Sequence, residues 1–133
     1  MKGVKVLDSW ALLAYFEGEE RGREVLDLLK DAAEKGRVYL ISVVNWGEIL
    51  YITESRHGEE RRDEVEHLMD QMHLEVVDLD RNTTRRAAEL KATTKLHYAD
   101  CFVAALAMSR KAELITGDHD FRVLENKIRI GWL

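Results

Sequence analysis

The stretch Val4-Lys5-Val6-Leu7-Asp8-Ser9-Trp10-Ala11-Leu12-Leu13-Ala14-Tyr15-Phe16 changes its period in the middle. Val4 to Leu7 reads as a short buried strand that ends at Asp8. From Ser9 onward, Leu12, Leu13 and Phe16 recur at helical spacing, Ser9 offers an N-cap side chain, and the helix ends near Gly18. The alternation continues along the chain. A second helix carries Val25, Leu28, Leu29, Ala32 and Ala33 on one face and stops at Gly36. Val38 to Ile41 form a second strand, and Ser42 caps a third helix from about Val43 to Arg56. Past Gly58 comes a charged helix with Val65, Leu68, Met69 and Met72 on one side. Glu75-Val76-Val77 is a third strand, and Asp80 caps a helix running to about Lys95. Tyr98 to Arg110 is the next helix, Glu113-Leu114-Ile115 a strand, Gly117-Asp118 a turn, and Ile128 and Ile130 alternate in a last strand. Strands alternating with helices favour a parallel sheet with helices on both faces, so the predicted fold class is α/β.

Composition bounds the rest. With 133 residues the chain fits one domain, 1–133, large enough to bury a substantial core. It has no proline and eight glycines, so loops are expected to be short and no linker is visible. The single cysteine, Cys101, excludes an internal disulfide, as suits a reducing compartment. No apolar run reaches membrane-spanning length, and Met1-Lys2-Gly3 leads into the first strand without a cleavable signal. The expectation is a cytoplasmic protein with no membrane partner. A net charge of −5 argues against a protein that coats nucleic acid through its own field. It leaves open an enzyme in which carboxylates hold a cation and the cation meets a phosphate.

Four carboxylates stand out. In open parallel sheets, sites form beyond the carboxyl ends of the strands. Asp8 ends the first strand, and Asp118 lies just past Leu114-Ile115-Thr116. For Asp8 the plain alternative is a residue that helps Ser9 cap the helix. Glu48 sits on a helix with Val43, Val44, Trp46, Ile49, Leu50, Tyr51 and Ile52 all round it, the pattern of a buried helix. A carboxylate buried there needs a cation, a donor or a proton; the plain alternative is an Arg or Lys partner. Asp100 shares its side of an apolar helix with Val103, Ala104 and Ala107. The helix dipole favours an acid in a first turn by only ~0.3–1 kcal/mol, and an exposed acid would satisfy it equally well. Four clustered carboxylates raise one another's pKa and call for a cation. All-oxygen ligands select Mg²⁺ or Mn²⁺ over zinc, and such a site suits phosphodiester hydrolysis.

Together these residues resemble the PIN-domain family, and within it the VapC-type toxins. The resemblance covers nearly the whole chain. It rests on Val6-Leu7-Asp8-Ser9 with Leu12-Leu13, Ser42 to Glu48 with Ile49-Leu50, and Tyr98-Ala99-Asp100 with the alanine-rich Phe102 to Ala107. It is completed by Ile115-Thr116-Gly117-Asp118-His119-Asp120-Phe121 and Ile128-Arg129-Ile130. It implies a three-layer α/β/α sandwich with a short, mostly parallel central sheet. It also implies that Asp8, Glu48, Asp100 and Asp118 are the catalytic residues and ligate Mg²⁺ or Mn²⁺, with Thr116 as a supporting hydroxyl. Ser9 matches a small polar residue after the first acid, and Asp120 a commonly acidic position that ranks below the four. His97 departs from the family, where a small hydroxyl residue often precedes the third acid's helix. The resemblance further implies RNA cleavage, a homodimer, and inhibition by a cognate antitoxin.

Other residues carry less. The five histidines show no zinc-ligand spacing. His119 reads as an exposed turn residue, Cys101 as a packed thiol, and Trp46 and Trp132 as core or interface residues. Arg85, Arg86, Lys91 and Lys95 could guide RNA phosphates, although basic residues on a helix face are usually just solvated. The stripes Leu12, Leu13, Phe16 and Val65, Leu68, Met69, Met72 could line a partner groove or simply be core. The competing readings are a receiver-type regulatory domain, a catalytically degenerate PIN-like scaffold, and a nuclease acting on DNA.

Overall fold

The structure, a computed structural model, describes residues 3–133. Met1 and Lys2, which the sequence reading places ahead of the first strand without a cleavable signal, lie outside the described residues. The elements run β1 (Lys5–Leu7), α1 (Ser9–Phe16), α2 (Gly22–Glu34), β2 (Tyr39–Ser42), α3 (Val43–His57), α4 (Glu59–Gln71) and β3 (Leu74–Val77). They continue with α5 (Arg81–Thr93), α6 (Tyr98–Arg110), β4 (Glu113–Thr116), a 3-10 turn His119–Leu124 and β5 (Ile130–Trp132).

The strands form one sheet in the order β3-β2-β1-β4-β5, every pair parallel. Side chains on a strand alternate between faces, and here that alternation feeds two cores. Val6, Leu40 and Leu114 point to the layer of α5 and α6. Their neighbours Leu7, Ile41 and Ile115 point to the layer of α1 to α4. The expected three-layer α/β/α architecture follows directly. The chain builds outward from β1 to β3, then crosses back to β4 on the far side of β1. The strand order therefore reverses between β1 and β4, and such a switch point leaves a crevice beyond the carboxyl ends of the two strands. The order also differs from the 2-1-3-4-5 arrangement of receiver-type sheets, which removes that alternative.

Most element boundaries agree with the sequence reading to within a residue or two, and α6 agrees at both ends. Two differ in an informative way. The last strand runs over Ile130–Trp132 rather than around Ile128, because Ile128 is buried in the α5–α6 layer after the 3-10 turn. The third helix is apolar all round in sequence but one-sided in space: only Asn45, Ile49 and Thr53 are buried, and Tyr51 is 61% exposed. Among the described residues no helix is long and apolar enough to cross a membrane.

The stripes suggested for a partner groove are largely core. Leu12, Val65 and Met69 are buried, while Leu13, Phe16, Leu68 and Met72 are half-covered. Gly22, at the start of α2, shows how tightly these helices meet. A Cβ there would stand 2.6 Å from the Ala14 carbonyl oxygen and 2.7 Å from Tyr15 Cα, both backbone atoms that cannot turn aside. Overpacking of this kind costs about 1–3 kcal/mol. Gly22→Ala is therefore expected to lower the urea midpoint by a corresponding amount at unchanged slope; an unchanged midpoint would show that α1 and α2 are free to separate.

Candidate active site

Asp8 follows β1 and, contrary to the expectation that Ser9 caps α1, is itself the N-cap. Its Oδ1 accepts from the Ala11 amide at 2.9 Å. Its Oδ2 accepts from the Thr116 hydroxyl at 2.5 Å. The capping alternative weighed for Asp8 is thus realised with one oxygen while the other faces the switch point. Thr116 ends β4 and is fully buried. Its Oγ1 also accepts from the Asp118 amide at 3.0 Å, and Asp118 Oδ1 accepts from the Asp120 amide at 3.0 Å. A single relay of hydrogen bonds therefore joins the ends of β1 and β4 and fixes the turn that carries Asp118.

Glu48 is held differently. Ser42 caps α3, accepting from the Asn45 amide at 3.0 Å and donating its own proton to Asn45 Oδ1 at 2.7 Å. That orients the amide so that Asn45 Nδ2 donates to Glu48 Oε1 at 3.0 Å. Ser9, freed from capping, donates to the same oxygen at 2.6 Å. Glu48 is only half-buried. Its position comes from these donors and not from a helix buried on every side. Sequence reading passed over Ser42 and Asn45 as site residues. The i, i+3, i+6 spacing Ser42, Asn45, Glu48 was the available signal, since it puts three polar groups on one face of an apolar helix.

Asp100 lies in the first turn of α6 and is 9% exposed, with its helix buried along Cys101 and Val103 to Ala107. No described residue donates a hydrogen bond to it. His97 occupies the N-cap position without a side-chain cap bond, in line with the departure noted in the sequence. Among the described residues, none of Asp8, Glu48, Asp100 and Asp118 is in an ion pair.

Electrostatics shows that the four acids share one neighbourhood. Burial pushes the Asp8 carboxyl up to about 7; Thr116 and Ala11 pull it down, and the charges of Asp100 and Asp118 push it further up. Asp100 is raised to about 6, first by burial and then by the charges of Asp118 and Glu48, with His97 opposing and Asp120 adding. The acids are close enough to repel one another, yet among the described residues no three Asp, Glu, His or Cys side chains stand near enough to share one ion as arranged. Repulsion opposes a tighter cluster of carboxylates in the absence of a cation. Asp120 is exposed and touches the site through its backbone amide.

Larger concavities lie elsewhere, one of them on the α2 side among Leu28, Ile115 and Trp132. A crevice of about 310 Å³ is lined by Lys95, Leu96, His119, Asp120 and Val123; the four acids are not in its lining, but the charge of Asp120 acts on Asp100. Cys101 is buried, a packed thiol whose pKa burial raises.

The sequence profile of the PIN domain matches residues 5–127. The chain belongs to the PIN domain family. No curated protein matches it in sequence. Among solved structures, this PIN domain resembles Rickettsia felis VapBC2 bound to a DNA fragment from their promoter, with TM-score 0.75, 16% identity and 98% of each chain covered. It also resembles a Klebsiella pneumoniae toxin–antitoxin complex, with TM-score 0.62 and 25% identity over 89% of this chain and 90% of that one. A third is Mycobacterium tuberculosis VapC20, a sarcin-ricin loop cleaving toxin, with TM-score 0.70 and 14% identity over 90% and 93%. At such identities the likeness is one of fold.

The buried acids make the stability of this PIN domain depend on pH. In the unfolded chain Asp8 and Asp100 titrate near 3.8; folded, they hold their protons to about 7 and about 6. The folded state thus binds more protons across that window, so stability is full below pH ~4 and falls as pH rises towards 7. For Asp8 the loss is on the order of 4 kcal/mol. Metal-free protein is expected to melt at a lower temperature at pH 8 than at pH 5, and Asp8→Asn to flatten that slope; a parallel slope in the variant would locate the effect elsewhere.

Proposed function

We propose that this PIN domain is a Mg²⁺- or Mn²⁺-dependent endoribonuclease, the toxin of a toxin–antitoxin pair, with Asp8, Glu48, Asp100 and Asp118 as its metal-holding and catalytic residues. One observation carries the reading. Four acids from four separate segments converge on the sheet's switch point without a cation partner among the described residues, and burial and mutual repulsion raise the pKa of two of them. A structural role would normally come with an Arg or Lys counter-charge. The donor set fits a hard divalent ion: it is all carboxylate oxygen, and Asp100 is left without a hydrogen-bond donor. Such an ion, when bound, supplies the positive charge that orients the phosphate and acidifies the attacking water.

The chain's own residues prepare that site. Thr116 holds Asp8 by one oxygen, and the Ala11 amide holds the other. Ser9 and Asn45 both grip Oε1 of Glu48 and leave Oε2 free. Such outer partners orient ligands and tune their basicity. Asp120 orients Asp118 through its amide, and its carboxylate remains available on the surface. RNA as substrate rests on the family resemblance and on the sarcin-ricin loop cleaved by the M. tuberculosis structural neighbour. An antitoxin partner rests on the neighbours solved as toxin–antitoxin complexes. A homodimer and a cytoplasmic setting complete the reading; the exposed Tyr51 of α3 and its half-covered neighbours Trp46 and Leu50 offer apolar surface for a partner.

The test is to titrate Mg²⁺ or Mn²⁺ against labelled RNA and DNA with antitoxin-free protein. Losing a residue that merely orients a metal ligand costs about 10–100-fold, so Asp8→Asn and Asp100→Asn are each expected to lower RNA cleavage by at least ~100-fold. Mn²⁺ should also raise the melting temperature of the wild type, since an ion bound only to the folded state stabilises it by mass action, and raise it less in the variants. Cleavage that persists in EDTA, or survives both substitutions, overturns the assignment. An intact fold without a metal-induced shift favours the binding scaffold instead.

A further inference from the structure

The crevice whose Asp120 acts on Asp100 has a composition that the packing of the core does not explain. One wall is Lys95 and Leu96, in the connection between α5 and α6; the other is His119, Asp120 and Val123, in the 3-10 turn. Both walls adjoin the acidic cluster along the chain. His119 and Asp120 follow Asp118 directly, and Leu96 precedes the His97 cap of the helix whose first turn carries Asp100. The neighbouring lysine, Lys91, is committed to structure: its ammonium donates to the Leu96 carbonyl at 2.8 Å and holds the connection in place. Lys95 has no ion-pair partner among the described residues and is exposed. Val123 is 58% exposed although Phe121 and Leu124 of the same turn are fully buried. The His119 ring, exposed, stacks on Trp132 at a centroid distance of 5.6 Å and an interplanar angle of 29°. That stack fixes the orientation of a flat ring beside the crevice.

A cation, an exposed aliphatic side chain and a braced aromatic ring together match one chemical class. Single-stranded nucleic acid is held by basic groups on its phosphates and by flat side chains on which unpaired bases stack, histidine among them. A free phosphate would meet Lys95 and the Asp120 carboxylate at once, with little net attraction. A nucleotide gains the apolar and stacking surface as well. We propose that this crevice is a nucleotide subsite, which seats the RNA residue next to the scissile phosphate with its base against His119 and Val123 and its phosphate on Lys95. The subsite rests on the ribonuclease reading for its substrate, but its occupancy is measurable without cleavage.

The experiment is fluorescence anisotropy of labelled single-stranded RNA with the full chain in EDTA, over a salt series. It compares wild type, Lys95→Ala, His119→Ala and the remote control Lys30→Ala, which removes the same charge from α2. For single strands, each phosphate contact contributes about 0.7 to the slope of log affinity against log salt. Lys95→Ala is expected to raise Kd several-fold and to reduce that slope by about 0.7. Base stacking contributes about 1–3 kcal/mol, so His119→Ala should raise Kd at least about 5-fold at unchanged slope. Lys30→Ala should do neither. Equal effects of the two lysine substitutions, no effect of His119→Ala, or no RNA binding by the wild type each overturn the subsite. Metal-dependent cleavage of the same RNA is measured in parallel. Its absence alongside Lys95- and His119-dependent binding defeats the nuclease reading while upholding the subsite; cleavage without that dependence does the reverse.

Discussion

The pairing of β1 with β4 is the constraint on which the rest of the molecule depends. It sets Leu7 beside Ile115 and so brings Asp8 and Thr116, 108 positions apart, into hydrogen-bonding contact. Because β1 is the middle strand, this pairing also divides the helices into two layers, and it creates the reversal of strand order at whose edge Asp8 and Thr116 meet. A one-residue slip in the register would turn every side chain of β4 to the opposite face. Leu114 and Ile115 would exchange cores, and the Thr116 hydroxyl would leave Asp8. Fold and site are specified by the same alternation of side chains.

The acidic centre is a balance between placement and repulsion. Backbone amides and three short polar side chains hold individual oxygens of Asp8, Glu48 and Asp118. None of these contacts supplies a positive charge. Neutral donors stabilise a carboxylate modestly compared with the cost of burying its charge, which is why Asp8 and Asp100 resist ionisation. The arrangement orients the acids without neutralising them.

Much of this was legible in the sequence, though unevenly. The helix Tyr98–Arg110 could be read to the residue because its apolar density leaves no other state, and Asp8, Asp118 and Asp100 stand out because they sit after strands or among alanines. The Glu48 reading rests on an argument that the structure supports only in part. Apolarity around α3 predicts burial, whereas Trp46, Leu50 and Tyr51 remain partly or largely exposed. Sequence records which side chains are apolar but not which neighbouring element covers them. The same gap hid the role of Asn45, since a lone amide in a helix acquires meaning only when its partners come into view. The 3-10 turn was missed for a different reason: Phe121 and Leu124 do show its three-residue spacing, but six residues are too few for periodicity to stand out.

The order of the strands also bears on how the molecule is made. Asp8, Glu48, Asp100 and Asp118 emerge from a ribosome at widely separated times, and the strand that docks Thr116 against Asp8 is among the later elements of the chain. Parallel pairings between distant segments form slowly, because loop closure precedes the gain in contacts. A nascent chain therefore carries its first acids as isolated carboxylates, and the complete constellation exists only after synthesis has passed residue 118 and β4 has found its place. Assembly of the acidic constellation is thus a late event in the maturation of the protein.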